Sequence, residues 1–571
     1  YTLLANNVAH NGKVYAPAPS SQQVTVTSGQ TTNVAIAYAE TQGGFNLDIA
    51  GMYVTQATQT MTGAVPLIAG RSGLLRVFVR GSLANTSIPD VRVRFYRNGQ
   101  LVETRVINAP SSSTPTLVDE GVLAASWNYL MPASLIQPGL AIVAEVDVAN
   151  GVEETNENDN VFPSNGTPLS LDVRTTVPFQ TRLVPVLQPN GQTGDVTEAN
   201  KNTYTDFANA LYPLPSIDAD VRAPYSFSAI LPAAYDTVWS RLLNEIRLLR
   251  GADGSSRYYY GVFKPSYSSG GTGLGYIGLP AAIGVDWATG SSNSGGTSWR
   301  AMTAAHEWGH NFGRAHVGCG NPANPDVNYP YEGGRLGLHG WDMRTNEIRL
   351  LGSHFDLLSY CLPYWSSDYT YNAVMNFRGA TGGITAAAPQ PSLLVWGRTL
   401  PDGSVVLEPA FEVMATPSLP SKSGRFRLAA LDDTGATLFD MSFDGDEVDH
   451  MEGVRHFNFV IPLSRLRGRD AAMLRVSGGR EDAVQRRAPP AAVEAGALID
   501  EVKVTRTSGN RVRLQWDVAR TPMVLVRDPR TGAVLSFARG GDQLIAVPGT
   551  EVELNMSDGV KSTTRRVKVQ Q

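Results

Sequence analysis

Along the first third of the chain, apolar and polar positions alternate with the period of a pleated strand. Leu74-Leu-Arg-Val-Phe-Val-Arg80 and Val91-Arg-Val-Arg-Phe-Tyr-Arg97 interleave apolar with basic residues. That pattern predicts strands with one buried and one wet face. Asn98-Gly99 is the dipeptide that a two-residue hairpin turn favours. Residues 23–38 alternate small β-formers around Ser28-Gly29, again a hairpin pattern. The character changes near Val177. Residues 198–211 and 234–249 carry apolar side chains at helical spacing, the second at Val238, Leu242, Leu243, Ile246 and Leu249. Residues 258–263 and 275–287 read as strands. Alternating helices and strands predict an α/β domain, followed by strand and turn signals such as Asp402-Gly403 and Arg530-Thr-Gly532.

The fold expected is therefore multidomain, an α/β domain flanked by all-β sandwich domains. The divisions fall at 1–43 (the end of a truncated β-domain), 44–175 (a sandwich), 176–385 (the α/β domain), 386–490 (a sandwich) and 491–571 (a small sandwich). Residues 40–44, 386–391 and the Pro- and Ala-rich 485–497 are the linkers. No repeat recurs at a fixed period, which argues against a propeller or solenoid.

Composition narrows the functional classes. At 571 residues the chain is too long for one core, and 42% hydrophobic residues supply apolar material for several. A formal net charge of −5 offers no long-range attraction for nucleic acid or an anionic membrane surface. No apolar run approaches the roughly 18 residues of a membrane span. The chain starts at Tyr1 without a signal segment, as expected of a mature form. Oligomeric state is not legible, and a monomer is the default expectation.

The chemistry concentrates in Thr303-Ala-Ala-His-Glu-Trp-Gly-His-Asn-Phe-Gly-Arg-Ala-His316. His306 and His310, four apart, stand one turn apart on one helix face and can share a metal. Glu307 lies beside His306, where its carboxylate reaches a metal-bound water. Gly313 falls where the helix must turn sharply and needs a positive φ. The chain then delivers His316 as a third ligand. Three imidazoles leave a fourth position for water, the open arrangement of a catalytic zinc. The helix is expected to start at Thr297 or Ser298, after the flexible run 291–296. Of the eight histidines, His339 and His354 lack ligand spacing to this motif and read as loop histidines.

His-Glu-x-x-His-x-x-Gly-x-x-His resembles the metzincin signature, which implies a zinc endopeptidase with an open cleft. The resemblance covers roughly residues 180–380 and implies a Met-containing turn beneath the zinc. Phe355-Asp-Leu-Leu-Ser-Tyr-Cys361 is similar to that turn, with Leu358 in place of Met. Asn372-Ala-Val-Met-Asn376 is the alternative, read here as part of the following helix. In astacin- and serralysin-like metzincins a Tyr two residues beyond the turn position approaches the zinc, which implies a catalytic role for Tyr360, against a packed core tyrosine. Gly273-Leu-Gly-Tyr-Ile-Gly278 matches a dinucleotide pattern but is followed by a strand-like segment with Pro280. It resembles instead the metzincin edge strand, which binds extended peptides by main-chain hydrogen bonds. Tyr329-Pro-Tyr-Glu-Gly-Gly334, Gly340-Trp-Asp342 and the placement of Cys319 and Cys361 resemble secreted bacterial members, including mucin-degrading ones.

Cys319 and Cys361 each follow a segment assigned to the active site. They form either a bridge suited to an oxidising compartment, worth about 4 kcal/mol for a loop of that length, or two independent thiols. The acidic stretch 147–160 raises calcium, but its spacing does not fit the helix–loop–helix pattern. It resembles the terminal hairpin of immunoglobulin-like adhesion modules, which implies a structural turn.

The expectation is a secreted zinc endopeptidase acting on proteins, possible substrates including mucin-like glycoproteins. Glu307 would serve as general base and Tyr360 as oxyanion partner, with His306, His310 and His316 on one catalytic zinc. An adhesion or glycan-binding protein with an inactive protease fold is the alternative, and an amidase acting on cell-wall peptides a third.

Overall fold

In the computed structural model, which describes residues 1–10, 13–41, 44–267, 270–290, 296–380, 388–420, 423–487 and 502–570, the chain is multidomain and mostly β, built from several separate sheets. The linkers at 40–44, 386–391 and 485–497 and the run 291–296 lie partly outside the described residues.

Strands Leu47–Thr55, Gly73–Gly81 and Trp127–Met131 form one sheet of the N-terminal region. Val91–Arg97, Gln100–Ile107 and Leu140–Val146 belong to a second, and both sheets cover a core containing Val54, Val77, Phe95 and Ile142. Asn98 and Gly99 take φ 50° and 80°, as their hairpin turn demands. The expected wet face of Gly73–Gly81 is absent at Arg76, which is fully buried. Its guanidinium donates to Ser126 Oγ at 2.9 Å, Glu120 O at 2.6 Å and Val122 O at 2.8 Å, and it lies 4.8 Å from the Phe78 ring. Those acceptors satisfy the charge in place of water. The hairpin expected over 23–38 does not form either. Ser21–Gln23 pairs with Thr2–Leu4, and Ala37–Thr41 pairs with Lys13–Ala18. The residues between join no strand, and Val26 is 55% exposed. Ala9 and Val14 meanwhile join the core of the two N-terminal sheets.

Two carboxylates of the acidic stretch are taken up by backbone N–H groups. Asp147 accepts the Gly151 and Val152 N–H groups at 3.1 and 2.8 Å, and Glu154 accepts Leu47 N–H at 2.6 Å.

The central region is a six-stranded sheet between helical layers. It comprises β1 (Phe179–Leu187), α1 (Asn202–Leu211), β2 (Ile217–Val221), β3 (Tyr225–Ser226), α2 (Thr237–Ala252), β4 (Tyr258–Phe263), β5 (Gly273–Gly275), β6 (Ala281–Val285), α3 (Trp299–Asn311) and α4 (Asp368–Ala380). The sheet order is β2-β1-β4-β6-β5, with β3 also on β1. Every pairing is parallel except that of β5 with β6 at the edge. Alternate β-residues face opposite layers: Leu183 and Val262 pack towards α1 and α3, whereas Val184 and Phe263 pack towards α2.

α2 begins later than its apolar pattern because Asp236 caps it, accepting from Val238 and Trp239 N–H. The strand expected over 275–287 is instead the β5–β6 hairpin, which turns at Gly278 (φ 76°).

The C-terminal sheets are not appended on a tether. Leu394, Trp396, Phe411, Met523 and Phe537 share one core with Leu242, Leu243 and Ile246 of α2. In this region β7 (Asp446–Glu447) and β8 (Arg455–Pro462) are neighbours in one sheet. Arg247 of α2 pairs with Asp446 at 2.5 Å. His456 on β8 is fully buried, its Nε2 2.5 Å from Ser240 Oγ and its Nδ1 2.5 Å from Tyr276 OH.

Burial, with Arg247 and Arg398 nearby, holds His456 well below the usual imidazole range. Below pH ~6.5 the unfolded chain takes up a proton there that the folded chain refuses. This junction therefore weakens as pH falls, by at most about 1.4 kcal/mol per pH unit. Thermal unfolding from pH 7 to 5 should lose stability less steeply in His456→Gln than in wild type; equal slopes would remove His456 as the cause.

Candidate metal centre

α3 is buried on every side, from Arg300 through Asn311. It starts immediately after Ser298, as the pattern predicts. Close packing explains its small residues. A Cβ on Gly309 would meet Tyr212 OH at 2.5 Å and Leu358 Cδ2 at 2.9 Å. The helix ends in a Schellman motif: Gly313 N–H donates to His310 O at 2.8 Å and Arg314 N–H to Gly309 O at 3.1 Å. Gly313 has φ 79° there, and the reversed chain carries His316 back beneath the helix.

The three histidines converge. His306 Nε2 lies 3.1 Å from His310 Nε2 and 3.3 Å from His316 Nε2. These are not hydrogen bonds between neutral rings. His306 Nδ1 faces Leu357 O at 2.7 Å and His310 Nδ1 faces Arg314 O at 2.7 Å. A carbonyl only accepts, so each Nδ1 carries a proton, and each Nε2 is the atom left to bind a cation once it carries none. Imidazole nitrogens converge in this way around a cation. Zn–N bonds of ~2.0–2.1 Å in a tetrahedron require N–N edges of roughly 3.3–3.4 Å, close to the spacings here. The residues present thus fit a zinc ion, and the carbonyls on Nδ1 supply the outer partners that orient metal-binding imidazoles.

Glu307 is 2% exposed, and its Oε2 has no hydrogen-bond partner. Burial, reinforced by Asp449 and opposed by His310, pushes its carboxyl up to about 8. The edge strand makes room for it. A Cβ on Gly273 would sit 2.4 Å from Glu307 Oε1, and one on Gly275 2.9 Å from Oε2.

Below the histidines, Leu358 is fully buried in the floor under Gly309. Asp356 holds that turn by accepting Leu358 N–H at 2.9 Å and Ser367 Oγ–H at 2.5 Å. Met375, in the alternative segment, belongs to α4, its sulfur 3.9 Å from Arg174 Nη1. Leu358→Met, a near-isosteric exchange, should leave zinc content unchanged; a collapse of zinc binding would refute the floor assignment.

Cys319 and Cys361 form a disulfide with Cα atoms 5.7 Å apart. It ties the segment after His316 to the turn, where Val317 N–H donates to Leu358 O and Tyr360 N–H to Cys319 O, both at 2.9 Å. Tyr360 accordingly stands at the site, its ring 4.8 Å from that of His316. His339 and His354 stay outside the cluster, beside Leu351 N and Ser353 Oγ respectively.

Two further residues come from the loop between β7 and β8. His450 joins His306, His310 and His316 in a group whose ligand atoms all lie within 4.8 Å of one another. Its ring is stacked between Tyr235 at 4.9 Å and Tyr360 at 5.6 Å, and its Nδ1 is 2.8 Å from Tyr360 OH. Asp449 places Oδ2 3.1 Å from His310 Nε2 and Oδ1 3.3 Å from His316 Nδ1. Burial lowers His306 to about 3 and His450 to about 4. Burial opposes protonation of His310 as well, but Asp449 outweighs it and raises His310 to about 9. Sequence spacing gave no sign of this loop, which lies 133 residues beyond His316 at its Asp449.

Comparison with known proteins identifies no family. The chain matches no protein-family profile and no curated protein. Among solved structures, the CARDB domain of the PF1109 protein from Pyrococcus furiosus, in complex with di-metal ions, is 19% identical over 23% of this chain and 87% of that one, at TM-score 0.14. A β-glucuronidase from Parabacteroides merdae is 9% identical over 93% of this chain and 78% of that one, at TM-score 0.16. A β-glycosidase from Bacteroides vulgatus is 8% identical over 94% and 80%, at TM-score 0.13. Likeness at these scores carries no argument about fold or activity, and the functional reading rests on the site.

The loop divides the cleft. On the Glu307 side lies a cavity of about 260 Å³ lined by Tyr235, Thr303, His306, Glu307, Tyr360 and His450. On the other lies one of about 470 Å³ lined by His316, Tyr360, Asp449 and His450. Among the described residues, no helix is long and apolar enough to cross a membrane.

Proposed function

We propose that the chain is an extracellular zinc endopeptidase of metzincin type that hydrolyses proteins or glycoproteins. The observation that carries the reading is the convergence of three imidazole Nε2 atoms beside a buried Glu307 carboxylate whose Oε2 is unpartnered. The resemblance of His306-Glu-x-x-His310-x-x-Gly313-x-x-His316 to the metzincin motif supports it, as does the disulfide for an oxidising compartment.

His306, His310 and His316 would hold the zinc, which supplies a Lewis acid that polarises a carbonyl and acidifies water. Glu307 takes the proton from the attacking water and returns it to the leaving amine. The β5 edge aligns an extended substrate by main-chain hydrogen bonds. Tyr360, once free of His450, donates its hydroxyl to the developing oxyanion. Tyr360→Phe should lower kcat by about 10²- to 10³-fold, the cost of one oxyanion donor, with KM little changed; an unaltered kcat would remove that role.

The second reading is a binding protein with an inactive protease fold, favoured by the presence of Asp449 and His450 in the cleft. Digestion of casein and of a heavily O-glycosylated mucin, with and without a zinc chelator, separates the two. Chelator-sensitive cleavage establishes the peptidase, and the preferred substrate says whether glycans are read. Zinc-loaded protein that cleaves neither would favour the binding reading.

A further inference from the structure

The β7–β8 loop lies along the edge of the mixed sheet as an additional strand segment would. Val448 bridges Tyr276 in antiparallel register, and Asp449 N–H donates to Gly275 O at 3.1 Å. Both partners belong to the β5 end of the hairpin, the edge on which an extended peptide would pair. From that backbone position the Asp449 side chain reaches the histidines. His310 Nδ1 donates to Arg314 O, which leaves Nε2 facing the loop. Asp449 Oδ2 stands 3.1 Å from Nε2, buried and without a hydrogen bond of good geometry. The spacing is close to the roughly 3.3 Å edge joining two ligands of one tetrahedral zinc.

The loop is held to this task. Its ends are anchored by Asp446 on Arg247 and by His456 between Ser240 and Tyr276. His450, beside Asp449, has φ 57°, a left-handed conformation that costs a non-glycine residue of order 1 kcal/mol or more. Its ring stacks on Tyr235 and Tyr360, which hold it there.

Building on the proposed zinc site, we infer that Asp449 is a fourth protein ligand of that metal and that Val448 and Asp449 occupy the peptide-binding edge, so that the resting site is closed by its own chain. Substrate then enters only when the loop between β7 and β8 withdraws. The anchors on α2 keep the rest of the C-terminal region in place, so withdrawal is a local movement. Opening vacates a coordination position for water beside Glu307 and frees the Tyr360 hydroxyl from His450 in the same step.

The test uses the full chain, stripped of metal and reloaded with cobalt(II) or zinc, as wild type, Asp449→Asn and Asp449→Glu. Circular dichroism first checks that each variant folds. In Asp449→Asn the visible cobalt band should change in intensity and position as solvent replaces the carboxylate. Zinc affinity, read by chelator competition, should fall by at least the roughly 10- to 100-fold that loss of an outer partner costs. Asp449→Glu, which keeps a carboxylate, should retain more of the affinity than Asp449→Asn. At saturating zinc, hydrolysis of a short unstructured peptide should be faster in Asp449→Asn than in wild type. An unchanged cobalt band with unchanged affinity would overturn the ligand assignment, and slower hydrolysis at saturating zinc would overturn the closure. Failure of every form to hydrolyse peptide would instead overturn the peptidase reading, while the cobalt band still decided whether Asp449 binds the metal.

Discussion

Glu307→Gln should keep its zinc and lose peptide hydrolysis by about 10²- to 10⁴-fold, the contribution of a positioned general base. Glutamine has nearly the same shape, so it fits the space that Gly273 and Gly275 leave, but it cannot take a proton. The same substitution has an opposite effect on the metal-free fold. Burial raises the folded carboxyl to about 8, well above its unfolded value. Between pH ~4.5 and 8 the unfolded chain releases a proton that the folded chain holds, so this group costs increasing stability as pH rises through that window. Glutamine removes the cost. At pH 7, apo Glu307→Gln should melt at a higher temperature than apo wild type. Lost activity with raised apo stability identifies a residue retained for chemistry; retained activity would exclude Glu307 as the base.

His310→Ala has the second large effect. This residue stands between His306 at 3.1 Å and Asp449 at 3.1 Å. Removing it leaves two motif imidazoles, too few for a tight zinc site. Zinc should no longer copurify, and hydrolysis should fall to background. Stability gives an independent reading. Zinc at 1,000 times its dissociation constant adds about 4.1 kcal/mol to the fold, so wild type should show a clear rise in Tm on zinc addition and His310→Ala almost none. An undiminished zinc-dependent rise in the variant would show that the ion sits elsewhere.

What was legible in the sequence was what depends on local spacing. His306 and His310 share a face because a helix repeats every 3.6 residues, and Gly313 marks the reversal because its φ of 79° favours glycine. The Asn98-Gly99 turn was legible for the same reason. Local spacing says nothing about partners far along the chain. Asp449 and His450 reach the site only because the C-terminal sheets share a core with α2, and no periodicity around residue 450 records that. Arg76 shows a related limit. An alternating pattern assigns a basic residue to water, yet the carbonyls of Glu120 and Val122 serve as well. Gly273 and Gly275 were legible as a strand, but the carboxylate they accommodate was not.

The core shared by α2 and the C-terminal sheets also sets an order of events during synthesis. Leu242, Leu243 and Ile246 must wait for Leu394, Phe411, Met523 and Phe537 to leave the ribosome before their outer neighbours exist. Domains usually fold as they emerge, N-terminal first, but here α2, behind the parallel sheet, stays incompletely covered until Phe537 has emerged. A polypeptide cut after residue 385 would therefore expose that apolar face and invite aggregation or proteolysis.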